Sequence, residues 1–149
     1  MFLEQTCVKA STFRVHIDSP AAYKMFRDYF VRTLSSTYNA KPLVIMCIGT
    51  DRSTGDALGP LVGERLCKVI KHAKVFGNLE EPVHAVNLEK VMHNVRDIYK
   101  NPFIIAVDAS LGSSENVGTI KIAPGPLRPG AGVNKDLPPV GNFHITGVV

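Results

Sequence analysis

The sequence lacks the long hydrophobic run that a membrane-spanning helix requires. Its longest apolar stretch covers residues 42–48, far short of the ~20 residues that cross a bilayer. The first twenty residues include Glu4, Lys9, Arg14 and Asp18 and contain no continuous apolar segment, so we expect no secretory signal. These absences predict a cytoplasmic protein.

Cysteine and tryptophan are scarce. The chain has 3 cysteines and no tryptophan. Cys7, Cys47 and Cys67 form no C-x-x-C pair, and an odd, dispersed set is typical neither of a disulfide framework nor of a zinc knuckle. We therefore interpret the thiols as buried or idle.

Charge of one sign is in only modest excess. The formal net charge is +4 over 149 residues, and no run of Lys or Arg alternates with aromatic side chains as on many nucleic-acid-binding surfaces. The chain also lacks a G-x-S-x-G elbow, a G-x-G-x-x-G loop and a Gly-Lys-Ser/Thr sequence. We expect neither a nucleic-acid partner, nor a nucleotide site, nor a serine nucleophile.

The apolar residues that are present alternate between strand and helix patterns and predict one α/β domain over residues 1–149. Helices are expected at about 20–37, 58–70 and 88–99, the first beginning at a Ser19 cap with Pro20 at its first position. Apolar strands are expected at 43–48 and 102–107, a short strand at 74–77, an antiparallel edge strand at 118–123 and a last strand at 143–149. This order predicts a three-layer fold, with an open, mainly parallel sheet and helices on both faces.

Two aspartates follow predicted central strands. Asp56 stands at the start of the second helix, and Asp108 ends the strand that begins at residue 102. Ligands bind at the carboxyl ends of strands in open α/β sheets. Two carboxylates there can share a proton, so that one acts as general base and the other as general acid.

Simpler roles remain open for the same residues. Asp56 also fits a helix cap or a first-turn acid, and Asp108 a strand-end aspartate that accepts turn amides. Asp51 and Arg52 fit a solvated ion pair.

Residues 124–142 contain five prolines and four glycines, which predicts a loop with a role at a site. Within this loop, residues 128–135 fit either a backbone nest for an anion or a rigid turn.

The histidines show no metal-ligand spacing. His144 differs from the others because it lies on the last predicted strand, directly after the Pro/Gly loop, where a core or surface role and a metal-ligand role both stay open. The remaining four are interpreted as surface or packing residues: His16, His72, His84 and His93.

Three blocks of sequence, in the same order, resemble the YyaC-type sporulation proteins of spore-forming Firmicutes. They read CIGTDRSTGDALGPLVG at 47–63, FIIAVDA at 103–109 and GPLRPGAGVNKDLPPVG at 125–141. More distantly, the blocks are similar to the spore germination protease and to the HybD-like hydrogenase maturation endopeptidases, so the resemblance implies their phosphorylase/hydrolase-like α/β fold.

The resemblance also implies roles for individual residues. The two critical aspartates of the germination protease fall at Asp56 and Asp108. In the maturation enzymes the matching acids bind nickel with a later histidine, which implies a metal site of Asp56, Asp108 and His144. A cleft lining that positions substrate is expected from the following residues: Thr50, Asp51, Arg52, Gly130, Ala131 and Gly132.

These observations lead to one leading hypothesis and two alternatives. The first is a sporulation-associated endopeptidase, aspartic-type or metal-assisted, which cuts a spore or forespore protein in the mother cell, forespore or spore core. The second is a non-catalytic protein that keeps the fold and binds nickel, zinc or a partner. The third, motivated by the net charge, is a structural protein associated with DNA or the spore coat. Because similar proteins continue past the strand at 145–149, we also expect an under-covered sheet face and possible homo-oligomerisation.

Overall fold

The fold is an α/β sandwich with a mixed six-stranded sheet, seen in a computed structural model that describes residues 11–129 and 136–149. Its strands run in the order β1-β5-β6-β4-β2-β3. The four strands β6, β4, β2 and β3 are parallel, β5 pairs antiparallel with β6, and β1 pairs antiparallel with β5. The elements follow the chain as β1 (Phe13–His16), α1 (Ala22–Thr37), β2 (Leu43–Cys47), α2 (Leu58–Val69), β3 (Lys74–Phe76), α3 (Leu88–Ile98), β4 (Phe103–Ser110), β5 (Thr119–Pro124) and β6 (Phe143–Val148), with short 3-10 turns at Thr54–Asp56 and Ser114–Asn116.

The helices cover the two faces of the sheet unequally. On one face, α3 buries Leu88, Met92 and Val95, which share one side of the helix because they recur at intervals of four and three residues. On the other face, α1 packs over the β4 and β6 side of the sheet, and α2 packs over β2. The expected three layers are confirmed.

Strand β4 is the centre of the core. Residues 103–108 are all buried, with Ile104 and Ala106 packed towards α3 and Phe103, Ile105 and Val107 towards the two other helices. This alternation explains the continuously apolar sequence, because a strand covered on both faces has no solvent-facing side.

Three sequence expectations are corrected. The sheet has an additional strand, β1, which pairs with β5, so that β5 is an interior strand rather than an edge. Strand β4 continues through Ser110, so Asp108 lies within the strand instead of ending it. Helix α1 begins at Ala22, without a side-chain cap from Ser19.

No helix in the described ranges 11–129 and 136–149 combines the length and apolarity that crossing a membrane would need.

Candidate active site

The site lies where the parallel strands β2 and β4 end. Cys47 pairs with Val107 in the register of the two strands, and the Ile48 N–H donates to the Val107 carbonyl oxygen at 2.7 Å. Asp108 is therefore the next residue of β4 beyond the last paired position of β2. It shares the α3 face of the sheet with Ala106, because side chains alternate along a strand.

The loop after β2 folds back and carries Asp56 to this edge. The Thr50 N–H donates to the Asp56 carbonyl oxygen at 2.9 Å, and the turn at Thr54–Asp56 contacts β4. Gly49 allows this closure, since its φ is +143° and a Cβ there would collide with the Asp56 carbonyl oxygen. The loop thus brings together the two carboxylates that the sequence singled out.

Asp108 is buried, with 8% of its surface exposed. Burial, and then the negative charge of Asp56, raise the pKa of Asp108 to about 7, while a hydrogen bond from the Ala109 N–H acts in the opposite direction. That N–H lies 2.8 Å from Asp108 Oδ1, so the expected bond to a local amide does form. This hydrogen bond uses only Oδ1, so the other carboxyl oxygen of Asp108 can bind another partner.

Asp56 is half-buried and does not cap α2. The helix begins after Ala57 and has no side-chain cap, which contradicts the capping interpretation. Burial raises the pKa of Asp56, against the lowering effects of the Thr50 amide and of His84. Asp56 is therefore the carboxyl with the more polar surroundings, and Asp108 the one that keeps its proton to higher pH.

His84 is a third titratable side chain at this edge. Val83 bridges Ile48 in a parallel manner, and its carbonyl oxygen accepts the Gly49 N–H at 2.8 Å. The Val86 N–H lies 3.2 Å from His84 Nδ1, which leaves Nε2 as the proton-bearing nitrogen of the neutral ring. Sequence reasoning missed this residue because nothing in the local pattern marks Val83 as a partner of β2.

Two hydroxyl side chains also lie near Asp108. Thr146 pairs directly with Asp108 in the register of β4 and β6 and is 8% exposed. The Ser110 Oγ, two residues further along β4, is buried without a hydrogen-bond partner in the described parts of the chain. Both were missed, because their place beside the carboxylate follows from strand pairing.

The family and a relative can be identified by comparison. Residues 14–149 match the family described as "Protein of unknown function (DUF1256)". The chain belongs to the DUF1256 family. It is 56% identical over 135 residues, or 90% of its length, to "Uncharacterized protein YyaC" of Bacillus subtilis (strain 168). The chain spans 65% of the length of that relative.

The residues expected to line the cleft of this DUF1256 protein divide into three groups. Thr50 is half-buried beside Asp56, and its Oγ1 accepts the Arg52 N–H at 3.3 Å. Asp51 and Arg52 are exposed, and no ion pair joins them in the portion of the chain that the structure describes. The remaining three lie outside the described residues: Gly130, Ala131 and Gly132.

The expected metal site of this DUF1256 protein is not formed. His144 pairs with Ala106, which lies two residues before Asp108 in β4. The His144 Nδ1 lies 2.9 Å from the Gly125 carbonyl oxygen. Within residues 11–129 and 136–149, no group of three His, Cys, Asp or Glu side chains is arranged to hold a metal ion. The donor set therefore does not fit the nickel or zinc centre that the resemblance implied.

Cys47 is not a candidate for a nucleophile. Burial raises the pKa of Cys47 to about 12, and a thiol in that state is a poor nucleophile. Cys67 is exposed on α2, and both thiols are free. The expected buried thiol is confirmed for Cys47, while Cys67 lies at the surface and Cys7 outside the described residues.

Proposed function

We propose that this protein is an aspartate-dependent endopeptidase of sporulating cells, which hydrolyses a peptide bond in a spore or forespore protein of the cytoplasm. One observation carries the proposal. Asp108, buried and with a pKa of about 7, stands beside a second, more polar carboxyl, Asp56, at the carboxyl end of a parallel sheet. Perturbed carboxyl pairs in clefts are typical of catalytic sites.

The two environments assign the two chemical roles. Asp56, the more acidic of the pair, accepts a proton from a water molecule whose oxygen attacks the peptide carbonyl carbon. Asp108, still protonated near neutral pH, donates its proton to the nitrogen as the C–N bond breaks. Asp56 ends protonated and Asp108 ionised, so one proton transfer through solvent restores the starting state.

Sequence resemblance gives separate support. Both aspartates fall in blocks that resemble the germination protease at its two critical positions, and both lie within the family match at 14–149. The relative at 56% identity comes from a Bacillus, a spore-forming genus, which favours a spore-related substrate. No metal ion is required by this mechanism.

The decisive experiment compares Asp108→Asn and Asp56→Asn with the wild-type protein in an extract of sporulating cells, with and without a chelator. New peptide termini are read by mass spectrometry. We expect the wild-type protein to generate new termini and each variant to lower their rate of appearance by about 10²–10⁴-fold, the usual worth of a general acid or base. The chelator is expected to change nothing.

Asp97→Asn is the matched control. It makes the same chemical change on the exposed face of α3, where Asp97 pairs with His93. If the control cuts like the wild type and Asp108→Asn does not, the carboxyl pair is responsible. If no sample yields new termini, or the variants yield them at the wild-type rate, the peptidase proposal fails and the non-catalytic binding hypothesis takes its place.

A further inference from the structure

A polar cavity of about 430 Å³ lies next to the candidate active site. It opens between the end of β3 and the segment that leads to α3, one strand beyond the end of β2. Its size is within the ~300–1,000 Å³ of pockets that take small ligands. His84 lines the cavity and also lowers the pKa of Asp56, so one side chain lies between the cavity and the carboxyl pair.

One part of the cavity lining is apolar. It consists of Phe76 from β3, Val83 from the following segment and Val91 from α3, which pack together on the α3 face of the sheet. These side chains suit a straight aliphatic stem, and the ring of Phe76 also suits a cationic group placed over its face.

Most polar groups around the cavity already hold the protein's own backbone. Asn87 Oδ1 accepts the His84 N–H at 2.8 Å, and Asn87 Nδ2 donates to the Pro82 carbonyl oxygen at 2.9 Å. Asn78 Oδ1 accepts the Glu81 N–H at 2.7 Å, and His84 Nδ1 accepts the Val86 N–H. These contacts build the wall of the cavity and are not free for a ligand.

Glu81 is different. Its exposed side chain lines the cavity, and within residues 11–129 and 136–149 its carboxylate takes part in no ion pair and no side-chain hydrogen bond. A cavity whose lining combines apolar side chains with an unpaired carboxylate is complementary to a long side chain with a positive head group.

We infer that this cavity is a specificity pocket for an arginine or lysine side chain of the peptide substrate, with the stem against Phe76 and the head group at Glu81. The inference rests on the proposed peptidase function. Neighbouring parallel strands are ~4.8 Å apart, and adjacent residues of an extended chain ~3.3–3.6 Å. The cavity at β3 is two strand spacings from Asp108 on β4, so the residue that enters the pocket lies within about three positions of the scissile bond.

The test measures binding without cleavage. ¹H–¹⁵N spectra of the full chain are titrated with Nα-acetyl-arginine amide and with the citrulline analogue, which has the same shape and no charge. We expect the arginine probe to shift the amides of residues 75–91 and to bind about tenfold more tightly than the citrulline probe, as a charge-assisted hydrogen bond implies. Agmatine, which has the same head group and no peptide groups, should bind more weakly than the blocked amino acid.

Two variants locate the effect. Glu81→Gln should abolish the preference for arginine over citrulline, whereas Glu80→Gln, at the exposed neighbouring residue outside the cavity lining, should keep it. The spectra themselves report whether each variant is folded. The inference would be overturned if the arginine and citrulline probes bound equally, if the shifts fell outside residues 75–91, or if no amide shifted. It would also be overturned if Glu81→Gln kept the preference for arginine. Tighter binding of agmatine than of the blocked arginine would overturn the assignment to a peptide side chain.

Cleavage data then separate this inference from the proposed function. New termini that depend on Asp108 and show arginine or lysine at one fixed position support both. Termini that depend on Asp108 and show no such position contradict the pocket and leave the peptidase proposal standing. If arginine binds at the pocket and nothing is cut, the peptidase proposal fails and the pocket remains a cation site.

Discussion

At the scale of single residues, the chemistry depends on how differently two identical side chains are placed. Asp108 lies buried within β4, whereas Asp56 lies on a loop beside a backbone amide and an imidazole. Sequence identified both carboxyls because each follows a recognisable strand. It did not predict which of them would hold a proton, because the degree of burial and the approach of His84 come from segments distant in the chain.

Asp108 should make the protein less stable as pH rises. The pKa of Asp108 is about 7 in the folded state and 3.8 for an ordinary, exposed aspartate, so the folded state binds one more proton than the unfolded state between these pH values. The contribution to stability is fully present below about pH 4 and is lost as pH rises through about 7. Three pKa units correspond to up to about 4 kcal/mol.

Asp108→Asn removes this titration. We expect the variant to gain in free energy of unfolding, relative to the wild-type protein, between pH 4 and pH 8, as measured by urea denaturation at several pH values. Asp97→Asn, whose carboxyl is exposed, should show no such trend. If the difference in free energy of unfolding between the wild-type protein and Asp108→Asn is constant from pH 4 to pH 8, the raised pKa of Asp108 is contradicted.

At the scale of elements, glycines determine how closely α2 and the loop before it approach the sheet. A Cβ at Gly63 would collide with the Gly77 carbonyl oxygen, and one at Gly59 with the Ile48 carbonyl oxygen. The sequence predicted α2 and α3 to within one or two residues, because their apolar spacing is regular. It missed β1, a strand of four residues whose pattern gains meaning only from pairing with β5.

Gly63→Ala tests this close approach. The added methyl group has to displace the backbone at Gly77, so we expect the free energy of unfolding to fall by about 2–3 kcal/mol, the usual cost of overpacking. Gly55→Ala is the matched control, since a Cβ there meets no atom within 4 Å, and it should change stability by less than about 1 kcal/mol. Equal stability of the two variants in urea denaturation would show that α2 is not held this tightly.

At the scale of the whole molecule, the two faces of the sheet are covered differently. An apolar groove of about 580 Å³ lies between α1 and α2 over the sheet, lined by residues such as Phe26, Leu66 and Ile120. Homo-oligomerisation through this groove stays a prediction. Exposed apolar surface of this kind binds apolar probes.

The groove should bind a fluorescent apolar dye such as anilinonaphthalene sulfonate in the folded protein. Ile17 lines it and is 58% exposed, so Ile17→Asp places a charge at its edge without disturbing the core. We expect dye fluorescence to fall several-fold in this variant. Ile98→Asp, at a comparably exposed isoleucine of α3 outside the groove (66% exposed), should leave the fluorescence unchanged. A similar loss in both variants would place the dye elsewhere.

The sequence by itself determined the alternation of helices and strands, the buried central strand and the two aspartates at the carboxyl end of the sheet. These features are local, since each follows from apolar periodicity or from a polar residue next to an apolar run. Tertiary structure alone decided the position of β5 inside the sheet, the proximity of His84 to Asp56, the separation of His144 from the carboxyl pair and the polar cavity at Glu81. Each of these depends on which distant segments pair, and backbone pairing leaves little trace in the order of side chains along one chain.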